Sequence, residues 1–174
     1  MEKFILSFVK LVPILTRKRK NKNYFGREAM RSYWSVSQFK EFNKCEACGF
    51  AQAIGEYKRE ETDSLLIGSY VDAFFSNEMP TFIERHGDKM MKKNGELLAK
   101  YEHANEIIHR VTEDPLMMAY LTGEKQVIMS AELFGVPWKI KMDCYNEQRI
   151  VDLKVVKDFE DIYDKGYGWR SWIE

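Results

Sequence analysis

The apolar residues of this chain change their spacing once, near residue 124, and that change limits the folds open to it. Before it they recur with a helical period: in "ELLAKYEHANEIIHRVTED", Leu97, Leu98, Tyr101, Ala104, Ile107, Ile108 and Val111 share one side. After it the period is two, and "KQVIMSAEL", "WKIKMDCY" and "IVDLKVV" read as strands. "FGVP" joins the first pair and "NEQR" the second, both short enough for hairpins. Helices followed by an antiparallel meander define an α+β plan.

Three further helices precede the strands. Ser35 or Ser37 caps a helix expected to run through Cys48 to about Ile54 and to end at Gly55. The charged turn "EYKREETD" separates it from "SLLIGSYVDAFFS", which is apolar on most sides and is expected to be buried. After Pro80 comes a mixed stretch with Lys89, Lys92, Lys93 and Gly95, to which no element is assigned. Pro115 and "LMMAYLTG" make a short helix closed by Gly123.

A chain of 174 residues suits one core, here residues 23–174, after a distinct extension, residues 1–22. Acids and bases balance at 27 each, so overall charge points to neither nucleic acid nor membrane. The extension is different, with seven Lys/Arg against one Glu. Its apolar part is too short to span a bilayer, and its basic cluster follows that part, the reverse of a signal peptide. A surface helix and a peripheral membrane anchor both remain open for it. Three cysteines without a secretory signal imply reduced thiols and a cytoplasmic protein. Cys45 and Cys48 have C-x-x-C spacing, but no second ligand pair at zinc spacing accompanies them, and they read as packing residues.

The last hairpin concentrates the charge. With "NEQR" as the loop, Tyr145 pairs with Ile150, Asp143 faces Asp152 and Lys141 faces Lys154, all four on one face. Ile140, Met142, Cys144, Val151, Leu153 and Val155 form an apolar opposite face expected to pack on helices. Like charges directly across a ladder repel. Diagonal ion pairs would relieve part of that. Alternatively, the carboxylates hold a hard divalent cation and Lys154 stabilises charge on a phosphate, the parts of metal-assisted phosphodiester hydrolysis.

Asp143 followed by Asp152-Leu153-Lys154 resembles the PD-(D/E)XK nuclease superfamily, with its restriction-endonuclease-like core. "YWSVSQFKEFNKCEA", "LLIGSYVDAFF", "LTGEKQVIMSAELFGVPWKIKMDCY" and "IVDLKVVKDFED" are similar to the RecE-type (exonuclease VIII-like) exonucleases of phages and prophages. The resemblance runs from about Asn23 to the C-terminus. It implies Asp143, Asp152 and Lys154 as catalytic residues, with Asp143, Asp152 and the Leu153 carbonyl as ligands of Mg²⁺ or Mn²⁺. Gly68-Ser69-Tyr70-Val71-Asp72 resembles the helix motif that sets an acid or His near the metal in RecB-like nucleases, making Asp72 a further ligand. Double-stranded DNA ends are the implied substrate, with Lys139, Lys141, Arg17, Lys18, Arg19 and Lys20 as candidate phosphate contacts. Relatives work beside a single-strand annealing protein and form homo-oligomeric rings.

RecB-like relatives continue after the D-x-K strand into a helix with Gln-x-x-x-Tyr. Here "GYGWRSWIE" stands where that helix would begin, and no such motif follows Lys154. The expectation is therefore a core incomplete at its C-terminal side. Two functions stand open: a Mg²⁺-dependent DNA exonuclease, or a nuclease-derived binding protein without catalysis, such as a phage inhibitor of a host defence nuclease (anti-CRISPR-like).

Overall fold

A computed structural model describes residues 24–58 and 60–155. The expectations for residues 1–22, including Arg17, Lys18, Arg19 and Lys20, lie outside the described residues. The element order is α1 (Arg27–Ser32), α2 (Val36–Lys44), α3 (Glu46–Ile54), α4 (Asp63–Phe75), α5 (Met79–His86), a 3₁₀ turn (Gly87–Lys89), α6 (Ala99–Glu113), α7 (Pro115–Tyr120), β1 (Glu124–Leu133), β2 (Val136–Asn146) and β3 (Arg149–Val151). The architecture is α+β with a three-stranded antiparallel sheet in the order β1-β2-β3, as the change of period requires. The described residues form two compact units: those up to Glu61 with Ala119–Val151, and Thr62–Met118 with Asp152–Val155.

The sheet unit is built on the β1–β2 hairpin. Phe134 and Gly135 have φ of 55° and 73°, the two left-handed residues that a tight type I′ turn needs, so Leu133 pairs with Val136. Between β2 and β3 the loop is only Glu147-Gln148. Asn146 Oδ1 accepts from the amides of Gln148 and Arg149, both at 2.9 Å. Tyr145 pairs with Ile150 as expected, but the ladder ends at Cys144–Val151. β3 is thus three residues long, not seven. Met142 and Cys144 are buried, whereas Ile140 is 48% exposed, so the supposed apolar face is not uniform.

The helix expected from Ser35 to Ile54 is two helices broken at Cys45. Ser35 caps α2 by accepting from the Gln38 amide at 3.3 Å, and its hydroxyl donates to Gln38 Oε1 at 2.9 Å. Gln38 Nε2 in turn donates to the Met30 carbonyl at 2.8 Å. Ser35 and Gln38 are both buried, so removing the hydroxyl leaves buried partners unmade. Ser35→Ala is expected to cost about 1–2 kcal/mol, read as a lower urea midpoint. α2 and α3 meet closely: a Cβ on Gly49 would lie 2.7 Å from the Phe42 ring, so only glycine fits there. Phe42, Trp34, Phe39 and Trp138 form a cluster of edge-on and tilted rings, with Trp34 and Phe42 centroids 4.9 Å apart.

The helical unit has its own core of Tyr70, Val71, Ala73, Phe82, Met90, Tyr101, Ala104 and Ile108. Thr62 caps α4, and Tyr70 donates to Asn105 Oδ1 at 2.8 Å, tying α4 to α6. The buried positions of α6 are Tyr101, Ala104, Ile108 and Val111, the stripe read from its period. Pro80, which left the following stretch unassigned, sits in the first turn of α5. A ring there costs no hydrogen bond, because those amides lack helical partners anyway.

Candidate active site

Beyond Val151 the chain leaves the ladder but keeps an extended alternation. Leu153 and Val155 pack against the helical core, while Asp152 and Lys154 are exposed. The inward pair fixes the segment, and the outward pair carries the charge. Lys154 Nζ lies 2.7 Å from Asp152 Oδ2, with side chains 61% and 34% exposed respectively. The ammonium thus pairs with the acid two residues before it in the chain.

Asp72 stands in the second half of α4, half-buried between Val71 and Ala73, which are buried. Its backbone carbonyl accepts from the Ser76 amide at 2.9 Å and the Ser76 hydroxyl at 2.7 Å, closing the helix. Asp72 and the Asp152–Lys154 segment belong to the helical unit; Asp143, half-buried on β2, belongs to the sheet unit. Among the described residues no group of three or more His, Cys, Asp or Glu side chains is placed to hold a metal ion.

The two lysines assigned to DNA both lie on β2. Lys139 is buried at 6% exposure. Its Nζ donates to the Tyr24 carbonyl at 2.7 Å and the Ala29 carbonyl at 3.0 Å, and lies 4.7 Å from the Tyr24 ring centroid. Its charge is committed to holding the start of the described chain on the sheet, which corrects the phosphate-binding expectation for this residue. Burial pushes its ammonium down to about 8 from 10.5. Lys141 is half-buried, with Nζ 5.7 Å over the Phe25 ring.

The depressed Lys139 has a pH signature. Between about 8 and 10.5 the unfolded chain holds a proton that the folded chain has released, so stability rises with pH across that window. Below 8 both states are protonated and the cost of burying the charge stands in full. Wild type should therefore gain stability relative to Lys139→Met between pH 7.5 and pH 10, measured as the change in urea midpoint of each protein.

One feature of the site region had no signal in the sequence. The β1–β2 ladder pairs Lys125 with Cys144 and Val127 with Met142 but skips the intervening pair, Gln126 with Asp143. Gln126 has φ of 54°, a left-handed conformation that costs a side-chain-bearing residue about 1–2 kcal/mol. Glutamine is no turn former, so nothing in its type marks the position. Backbone strain thus sits in the strand position opposite the first acid of the motif.

The α+β fold is of the PDDEXK-like class. The chain belongs to the family described as PDDEXK-like domain of unknown function (DUF3799), which matches residues 35–174. It is also similar to a solved structure described as a "putative exonuclease" from Eubacterium rectale, at 35% identity and a TM-score of 0.71. The similarity covers 87% of this chain and 66% of that one, just under two thirds of its length. Among curated proteins none matches. No helix among the described residues is long and apolar enough to cross a membrane.

Proposed function

We propose that this chain is the core of a divalent-metal-dependent deoxyribonuclease acting on double-stranded DNA ends, of the RecE type. The observation that carries the reading is the Asp152–Lys154 pair, held outward by Leu153 and Val155, in a chain of the PDDEXK-like family. Within the helical unit, the Asp72 and Asp152 carboxylates and the Leu153 carbonyl are oxygen donors, the ligand type that Mg²⁺ or Mn²⁺ prefers. The metal would polarise the phosphodiester and lower the pKa of a bound water. Asp152 contributes negative charge at an exposed position. Lys154, already 2.7 Å from that carboxylate, supplies a donor that stabilises negative charge developing on a phosphate oxygen.

The experiment is cleavage of linear duplex DNA by the purified chain with Mg²⁺ or Mn²⁺, against closed circular duplex as control. Digestion confined to the linear substrate supports an end-dependent exonuclease. Absence of cleavage with either metal defeats the catalytic reading and leaves the nuclease-derived binding protein. A partner capture that survives Asp152→Ala would then identify that second function.

A further inference from the structure

Cys45 and Cys48 were read from sequence as packing residues with free thiols, and the structure overturns both points. Their sulfurs are joined as a disulfide, with Cα atoms 5.3 Å apart, while Cys144 is free and buried. Nor do they pack inside a continuous helix. Cys45 ends α2 and caps α3, and its Sγ accepts from the Cys48 amide at 3.3 Å. Cys45 is half-buried and Cys48 is exposed.

We infer that Cys45–Cys48 is a thiol–disulfide exchange site that reacts reversibly with small disulfides of the glutathione class. Three observations carry this. The loop it closes spans a sequence separation of only 3, so closure removes little chain entropy and the bond is a poor staple. The bond is open to solvent at Cys48, with Cys45 only half-buried, and exposed disulfides are the labile ones. The amide that donates to Cys45 Sγ favours the thiolate, the species that attacks, at the start of a helix where negative charge is stabilised.

The chemistry balances with glutathione disulfide as oxidant. The Cys45 thiolate attacks one sulfur of glutathione disulfide, forming a mixed disulfide and expelling one glutathione thiolate. Cys48, after losing its proton to solvent, attacks Cys45 Sγ and expels the second glutathione. The protein loses two electrons and two protons, and one glutathione disulfide becomes two glutathiones. Reduction runs the same steps backwards. The link it makes or breaks spans the α2–α3 junction, beside the glycine contact between Gly49 and Phe42.

The test equilibrates the full chain in glutathione buffers of graded ratio, then acid-quenches, alkylates and weighs it. The expected result is a single cooperative loss of two hydrogens mapping to Cys45 and Cys48, reversed by excess glutathione, with Cys144 alkylated only after unfolding. In Cys48→Ser, Cys45 should accumulate as the mixed disulfide with glutathione; in Cys45→Ser, Cys48 should accumulate less. Circular dichroism of both variants checks that they fold. A pair that stays dithiol at every ratio, stops at separate glutathione adducts in wild type, or retains stoichiometric zinc after purification would overturn the inference. So would preferential trapping at Cys48, because the attacking sulfur is assigned to Cys45.

Discussion

Asp152→Ala is expected to reduce metal-dependent cleavage of linear duplex DNA by roughly 10²- to 10³-fold, on the scale of losing one preorganised electrostatic group from a catalytic site. The same change should leave stability nearly untouched. Asp152 is exposed, and its contact with Lys154 is a surface ion pair, a kind worth about 0–1 kcal/mol. Loss of turnover with an unshifted urea midpoint therefore separates a chemical role from a structural one. Equal cleavage by wild type and Asp152→Ala would remove the D-x-K pair from catalysis.

The largest effect on stability is expected at Tyr101. Its side chain is fully buried, with its ring 5.2 Å from that of Tyr70 in an edge-on arrangement. Tyr101→Ala would empty the centre of the helical unit and cost about 3–5 kcal/mol, a large share of a typical domain's stability. Tyr101→Phe should behave oppositely. The hydroxyl is buried without a hydrogen-bond partner among the described residues, and burial raises the phenol's pKa. Removing it sheds a desolvated polar group, so the Phe variant should match or exceed wild type in guanidinium unfolding. A Phe variant as weak as the Ala variant would show that the hydroxyl has a partner.

The sequence made the parts governed by local period and turn chemistry legible. The α6 stripe and the Tyr145–Ile150 register follow from spacing alone. What it concealed depends on distant partners. Lys139 looks like a surface cation, yet carbonyls more than a hundred residues away in sequence accept its hydrogens, and its aliphatic stem lets it be buried. "IVDLKVV" has strong strand propensity, but Leu153 and Val155 gain more by packing on the helical core than Asp152 and Lys154 would by joining a ladder. The break at Cys45 left no trace in the helical pattern, because cysteine is seldom thought of as a cap. The D-x-K spacing was legible; its internal ion pair was not, since it follows from where β3 ends.

The division of the chain into interleaved units also sets an order of assembly. All eight buried residues of the helical core lie between Tyr70 and Ile108, so that unit can condense while later residues are still being synthesised. The sheet unit cannot. Its first segment must wait for β1 and β2, and the Lys139 contact to Tyr24 closes a sequence separation of 115, a long loop whose closure is slow. On a ribosome adding about 5–20 residues per second, α1 to α3 would therefore emerge several seconds before their strands. During that interval the aromatic surface of Trp34, Phe39 and Phe42 lacks Trp138, and chaperone capture or aggregation would act there first.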